Sequence, residues 1–180
     1  MVGTNCFTKE PAFQKGQVLF FPTCYLPSID LFSQILSAQK KGIYALDIEE
    51  RFVKQTFRNR AKILSSQGPL MLTVPVIKKN GQKTKDVKIF NDIKWQRNHL
   101  RTLETCYNNS PFFIHYFDEV RLIFDKNFVF LIDLNEMFLS FLISKIGIVT
   151  ADYVRTFNFH DISAKELSVI DMLFNIGNEI

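Results

Sequence analysis

The chain has 180 residues, of which 47% are hydrophobic and 22% are charged, and its formal net charge is +4. These values are typical of one globular domain, spanning residues 1–180, and exclude an intrinsically disordered chain. Lys9, Glu10 and Lys15 precede any apolar run, so we expect no secretion signal. Three widely spaced cysteines indicate a reducing, cytoplasmic compartment, and three scattered histidines predict no metal site.

The first third of the chain alternates strand and helix signals. Short apolar runs at residues 17–21 and 43–48 predict two buried strands. Between them, Asp30 is suited to cap a helix that ends before Gly42. Residues 52–60 carry both helical and alternating spacings, so we expect a short helix or an irregular turn there.

Two hairpins are predicted next. Residues 61–77 contain two apolar runs around a turn at residues 65–69, and Pro75 suits the end or the edge of the second strand. A second hairpin joins residues 76–77 to residues 87–89 through a polar loop that contains Asn80 and Gly81. These strands predict a small mixed sheet.

The rest of the chain shows helical periodicity. One helix is predicted by four residues that recur every four positions: Trp95, His99, Leu103 and Tyr107. Pro111 is expected to open a second helix, and a third should span residues 128–146 and stop at Gly147. Ser163 and Glu166 form a predicted capping box before a last helix at residues 167–176.

The fold class that follows is α/β, with a small mixed sheet and hairpins from the N-terminal half packed against several helices from the C-terminal half. The apolar stretch at residues 128–143 is too short for a membrane span, which needs about 20 residues. Asp133, Asn135 and Glu136 interrupt it. Any of these side chains that is buried requires a hydrogen-bonding partner.

Charge is concentrated in the middle of the chain. Residues 54–101 contain twelve Lys and Arg residues against two acidic ones, which creates a local positive potential for phosphate or carboxylate groups. The lysines of residues 78–88 are also explained as the ordinary covering of a solvated loop. The expected partner is therefore an anionic small molecule, such as a nucleotide sugar or an acyl donor.

Eight polar side chains form the first candidate site: Tyr25, Asp47, Glu50, Lys54, Thr56, Arg58, Asn59 and Arg60. Ligands of open α/β sheets bind where the carboxyl ends of strands meet loops, and this set follows both predicted strands. The arginines suit a phosphate and Asn59 suits a sugar hydroxyl, while Asp47 and Glu50 are candidate catalytic residues. Alternatively, the arginines pair with these two acids and hold the loops together.

Trp95 and His99 form the second candidate site, because residues four positions apart share a helix face. His99 is suited to act as a general acid or base, and Trp95 to stack against a base or a sugar ring. The alternative is an aromatic core residue beside a hydrogen-bonded histidine. Cys24 lacks a neighbouring base in the sequence, so we do not favour it as a nucleophile.

Several strings resemble the WbqC-like family in order and spacing across residues 20–175. They are PTCYLPSIDLFSQI, KQTFRNRAKI, GPLMLTVPV, KDVKI, W-x-x-x-H-L, Y-N-N-SPFF and LIDLNEMFL. Because relatives occur among genes for surface polysaccharides, the resemblance implies a role in O-antigen-type biosynthesis. The chain departs from the pattern Gln-Pro-x-Tyr-Leu-Pro-Trp-x-Gly at Phe21, Ser28 and Asp30, so a pocket shaped by those positions differs here.

Charge and resemblance together predict an enzyme that modifies a nucleotide-linked sugar, by acyl or aminoacyl transfer, with its anionic donor at Arg58 and Arg60. The alternatives are a noncatalytic binding module for a nucleic acid or an acidic protein, and a structural subunit of an envelope-assembly complex. A nucleic acid is disfavoured because the sequence lacks an aromatic RNA-binding signature. The pattern leaves open the cofactor, the oligomeric state and whether the protein is a catalyst at all.

Overall fold

The structure, a computed structural model, describes residues 18–146 and 166–177. It begins with a βαβ unit formed by β1 (Leu19–Pro22), α1 (Ile29–Lys40) and β2 (Tyr44–Asp47). The two strands are parallel, with Pro22 opposite Asp47, so both carboxyl ends lie at one edge. Ser28 caps α1 by accepting a hydrogen bond from the Leu31 amide, and the expected cap, Asp30, lies inside the first turn.

Both predicted hairpins are confirmed. The first consists of β3 (Arg60–Ser65) and β4 (Gly68–Thr73), and the second of β5 (Val76–Ile77) and β6 (Lys88–Ile89). A short 3-10 helix at Thr84–Asp86 lies within the second hairpin.

The α/β fold class is also confirmed, but the strands do not form the single mixed sheet that the sequence predicted. The strands of the described residues form three separate two-stranded sheets, one parallel and two antiparallel. Pro75 explains part of this separation, because it lies between β4 and β5 and has no amide hydrogen to donate to a neighbouring strand.

Four helices follow in the described residues: α2 (Trp95–Tyr107), α3 (Phe113–Asp125), α4 (Leu131–Ile146) and α5 (Val169–Ile176). The helix predicted from residue 128 begins later because the preceding residues pair with β6. The Ile89 amide donates to the Val129 carbonyl, and the Leu131 amide donates to the Val87 carbonyl. Ser168 caps α5, whereas the expected cap Ser163 lies outside the described residues, as does Gly147.

The core is rich in phenylalanine. Five Phe side chains are among the largest fully buried ones: Phe32, Phe52, Phe124, Phe138 and Phe174. On α4, Asp133 and Glu136 are exposed and Asn135 is buried. Asn135 donates a hydrogen bond to the main-chain carbonyl of Arg58, so the expectation that a buried polar residue of this helix is partnered is confirmed for its amide nitrogen.

Candidate functional site

Two loops leave the same edge of the parallel sheet, because β1 and β2 both end there. Asp47, the last residue of β2, shapes the second loop, since its Oδ1 accepts hydrogen bonds from the amides of Glu49 (3.2 Å) and Glu50 (3.0 Å). Such turns are an ordinary use of aspartate after a strand. The turn brings Glu50 back toward the loop after β1.

Glu50 binds Arg58 with both carboxylate oxygens. Nε of Arg58 donates to Oε1 over 2.6 Å, and Nη2 donates to Oε2. The third guanidinium nitrogen, Nη1, donates to the hydroxyl of Thr56 over 3.3 Å. Both charged side chains are 19% exposed. A guanidinium has five N–H groups, so two remain for another acceptor. Glu50 raises the pKa of Arg58, which is therefore a fixed cation.

Cys24 lies beside this ion pair. Burial raises the pKa of its thiol to about 12, while the charge of Arg58 lowers it and that of Glu50 raises it. The residue is only 8% exposed. A reactive cysteine is a thiolate near neutral pH, so Cys24 is suited to packing rather than to nucleophilic attack.

Buried polar atoms without hydrogen-bond partners lie on the segments around Cys24 and Arg58 and on α4. The amide nitrogens of Asn59 and Asn135 donate to the Val74 carbonyl (3.0 Å) and the Arg58 carbonyl (2.9 Å). Their side-chain oxygens have no partner, although the residues are only 4% and 2% exposed. Within the described chain, Thr23 Oγ1 and Arg60 Nε are also buried without a hydrogen-bond partner. Such atoms are rare in folded proteins, and an ordered water or a bound ligand is an ordinary partner for them.

The second candidate site is a buried network. A hydrogen bond of 2.9 Å joins the hydroxyl of Tyr25 and Nδ1 of His99. The Thr73 backbone favours the protonated form of the ring, as a carbonyl beside a ring N–H does, so we assign the hydrogen of the neutral ring to Nε2 and the acceptor role to Nδ1. The indole ring of Trp95 meets the His99 ring edge to face, with centroids 5.2 Å apart. Desolvation lowers the pKa of His99 to about 4, so the ring is neutral.

The structure brings together half of the predicted residues of the first site: Asp47, Glu50, Thr56 and Arg58. Tyr25 contributes only its backbone there, donating its amide to the Phe57 carbonyl over 3.0 Å. Lys54 is exposed in the loop, whereas Asn59 is buried with its side-chain amide on the Val74 carbonyl. Arg60, the first residue of β3, forms no salt bridge to a described acid.

The geometry favours the two structural alternatives that the sequence left open. Arg58 is paired with Glu50, and His99 is a hydrogen-bonded histidine in an aromatic core. Tyr25, Trp95 and His99 are 0%, 4% and 6% exposed, so these residues support the site from inside the core. Their predicted roles in ligand binding and proton transfer remain predictions.

Sequence reasoning gave little weight to two residues beside Arg58. No base is near Cys24 in the sequence, and its proximity to Arg58 depends on the βαβ crossover. The sequence does mark Asn135, since a buried asparagine in a very apolar helix needs a hydrogen-bonding partner. Its partner, the Arg58 carbonyl, is 77 positions away and could not be read from spacing.

Two grooves lie away from this site. One, of about 390 Å³, lies between α3 and α4 and is lined by residues that include Leu122 and Phe141. The other, of about 630 Å³, lies beside the start of α2 and is lined by residues that include Lys94 and Arg97. None of the predicted site residues lines either groove.

The sequence model of the WbqC-like protein family matches residues 23–177. The chain belongs to this family. No curated protein and no solved structure matches it. Membership of the WbqC-like family is consistent with a role related to polysaccharide biosynthesis, and the match contains both the Arg58 and the His99 clusters.

The described part of this WbqC-like protein contains no helix with the length and apolar character needed to cross a membrane. In residues 18–146 and 166–177, no three His, Cys, Asp or Glu side chains are grouped so that they could hold a metal ion.

Proposed function

We propose that this WbqC-like protein is an enzyme of O-antigen-type surface-polysaccharide biosynthesis that binds a nucleotide-linked sugar beside Arg58. The reaction class is acyl or aminoacyl transfer to the sugar. The observation that carries the proposal is a guanidinium fixed at the carboxyl ends of two parallel strands, with two N–H groups left over. This edge of a parallel sheet is where α/β proteins commonly bind ligands.

Arg58 is suited to a phosphate of the nucleotide. Glu50 and Thr56 hold three of its N–H groups, so the guanidinium plane is oriented before any ligand arrives. A preoriented fork of N–H groups loses little entropy when it binds two phosphate oxygens. The exposed side chain of Lys54, four residues earlier in the same loop, adds positive potential.

Asp47 and Glu50 then have different roles. Both oxygens of Glu50 are occupied by Arg58, so Glu50 is a positioning residue. Asp47 uses only Oδ1 for the two amides of the turn, and its Oδ2 forms no hydrogen bond with the described chain. Oδ2 is therefore our candidate for the general base that accepts a proton from the sugar hydroxyl or amine as this group attacks the acyl carbon of a thioester. The new ester or amide bond replaces the C–S bond, and the departing thiolate takes up the proton.

The test is a thermal-unfolding titration with nucleotide sugars and with coenzyme A thioesters. A ligand at about 100 times its Kd stabilises the folded state by about 2.7 kcal/mol. For a domain of this size, that corresponds to a rise in Tm of about 5 to 10 °C. Arg58→Lys should remove most of the rise, because lysine keeps the charge but lacks the planar fork.

Arg101→Lys is the matched control, since Arg101 is an exposed residue of α2. It should leave the ligand-induced rise in Tm unchanged. The proposal is wrong if no nucleotide sugar or thioester raises Tm, or if Arg58→Lys and Arg101→Lys behave alike in the titration.

A further inference from the structure

Two loops lie side by side next to the Arg58–Glu50 pair: residues 48–57, which follow β2, and residues 78–86, which follow β5 and include the 3-10 helix. The amide of Phe52 donates to the Gln82 carbonyl over 3.0 Å, and the amide of Thr84 donates to the Glu50 carbonyl over 3.0 Å. These main-chain contacts fix the two loops as one surface.

This surface is strongly cationic. Its basic residues, which we call the cationic rim, are Arg51, Lys54, Lys78, Lys79, Lys83 and Lys85. The same loops contribute only two exposed carboxylates, Glu49 and Asp86. Glu49 binds both Lys83 and Lys85. The other four cations of the rim form no salt bridge with the described chain, so a net positive charge faces the solvent.

Apolar side chains are exposed beside the rim. Val53 is 50% exposed and Phe57 is 37% exposed. Between them, Gln55 adopts a left-handed conformation with φ of 64°. The Thr56 hydroxyl donates to the Val53 carbonyl over 2.8 Å, which closes the turn. The loop therefore has an ordered tip with apolar groups at both ends.

We propose that the cationic rim, together with Val53 and Phe57, binds a membrane surface that contains anionic lipids. Charge complementarity identifies the partner, because lysines and arginines are attracted to anionic headgroups. Exposed apolar side chains within a cationic surface add affinity by entering the boundary between headgroups and acyl chains. Duplex DNA would satisfy the cations but would offer nothing comparable to Val53 and Phe57. The inference does not depend on the proposed enzymatic function.

Peripheral binding of this kind has a predictable strength. Each lysine or arginine close to an anionic bilayer contributes about 1 kcal/mol, a factor of about five in the partition coefficient. The attraction is screened by salt, because the Debye length falls from about 10 Å at 0.1 M to about 3 Å at 1 M. Apolar insertion is not screened, so removing Val53 should weaken binding at both salt concentrations.

The experiment is cosedimentation of the whole chain with vesicles of phosphatidylcholine and phosphatidylglycerol, compared with vesicles of phosphatidylcholine alone. We expect binding only to the anionic vesicles. Lys78→Ala with Lys79→Ala should lower the partition coefficient about 25-fold at low salt. Val53→Ser should lower it several-fold while leaving the salt dependence intact.

Matched controls come from α3 and the residue after it. Ile114 is 78% exposed, more than Val53, and Lys126 is also exposed. Ile114→Ser and Lys126→Ala should leave vesicle binding unchanged. Equal losses in these controls, or equal binding to neutral vesicles, would overturn the proposal. Binding to duplex DNA at the same salt concentration without any effect of Val53→Ser, and with no binding to anionic vesicles, would also overturn it.

Arg58→Lys separates this inference from the proposed enzymatic function. If vesicle binding fails while Arg58→Lys still abolishes the ligand-induced rise in Tm, only the membrane proposal is lost. If vesicles bind but no nucleotide sugar does, only the enzymatic proposal is lost.

Discussion

Tyr25 and His99 lie 74 positions apart in the sequence, and the hydroxyl of Tyr25 donates a hydrogen bond of 2.9 Å to Nδ1 of His99. The bond joins the loop after β1 to α2 inside the core. Phe138 meets the Tyr25 ring edge to face, with centroids 5.7 Å apart. The network therefore connects the βαβ unit, which is followed by the loop of Glu50 and Arg58, with the helices of the C-terminal half.

Tyr25→Phe should destabilise the protein. The change keeps the ring but leaves Nδ1 of His99 buried without a donor, which costs about 1 to 3 kcal/mol. Urea denaturation at neutral pH measures the free energy of unfolding. Tyr44→Phe is the control, since the hydroxyl of the half-buried Tyr44 forms no hydrogen bond with the described chain. Similar losses for the two variants would contradict a specific role for the Tyr25–His99 bond.

The stability of the protein should depend on pH through His99. Desolvation lowers the pKa of this ring to about 4 from an ordinary value of 6.5. Below pH 6.5, the ring becomes protonated in the unfolded chain but stays neutral in the folded protein. The contribution of His99 to the free energy of unfolding is therefore complete above pH 6.5 and is lost as pH falls toward about 4. The loss reaches about 3 kcal/mol at the acid end of this range.

Denaturation curves recorded between neutral and acid pH test this assignment. His99→Gln should be less stable at neutral pH but should lose less free energy of unfolding on acidification. His115→Gln, at an exposed histidine of α3, should keep the pH dependence of the unmodified protein. If His99→Gln retains the whole pH dependence, another group is responsible for it.

Much of the fold follows from local sequence signals. Gly and Asn at the turns, apolar runs of strand length and the four-residue repeat from Trp95 predict both hairpins, the βαβ unit and α2. The start of α4 was missed because residues 128–130 keep helical spacing but pair with β6, a contact made about 40 positions away in the sequence. Periodicity describes one segment and carries no information about such pairing.

The candidate site was predictable in composition but not in geometry. Asp47, Glu50 and Arg58 could be chosen because they follow strands, where polar residues meet loops. Whether Arg58 is paired or free depends on a turn built by one oxygen of Asp47, and spacing does not encode that turn. The burial of Tyr25 and His99 could not be predicted either. The i, i+4 spacing of Trp95 and His99 indicates a shared helix face but not what packs against that face.

The Arg58–Glu50 pair should contribute to stability as well as to ligand binding. Its two side chains are each 19% exposed and joined by two hydrogen bonds, so a double-mutant cycle with Arg58→Met and Glu50→Gln should give a coupling of about 1 to 2 kcal/mol. The same cycle on Glu49 and Lys83, which are 53% and 54% exposed, should give a smaller value. A coupling near zero for Arg58 and Glu50 would mean that the pair does not hold the loop.

Glycine is required at the end of α5 for two separate reasons. Gly177 has φ of 70°, and a Cβ atom there would lie 2.5 Å from the Phe112 ring. Gly42, at the end of α1, has φ of 67° but open space around its Cα. Gly42→Ala should therefore cost only the left-handed backbone conformation, about 1 kcal/mol.

Gly177→Ala should cost more than Gly42→Ala, because it adds a collision with a ring whose own backbone is fixed. The amide of Phe112 donates to the Phe174 carbonyl over 3.0 Å, so the segment before α3 cannot move away from α5 without breaking that bond. We expect a loss of about 2 to 4 kcal/mol in the free energy of unfolding, measured by urea denaturation beside Gly42→Ala. If the two variants lose the same amount, the Phe112 ring moves aside freely and only the backbone conformation requires glycine. Phe112→Ala in the Gly177→Ala background distinguishes these cases further, since it removes the collision and should recover part of the loss only if the ring is its cause.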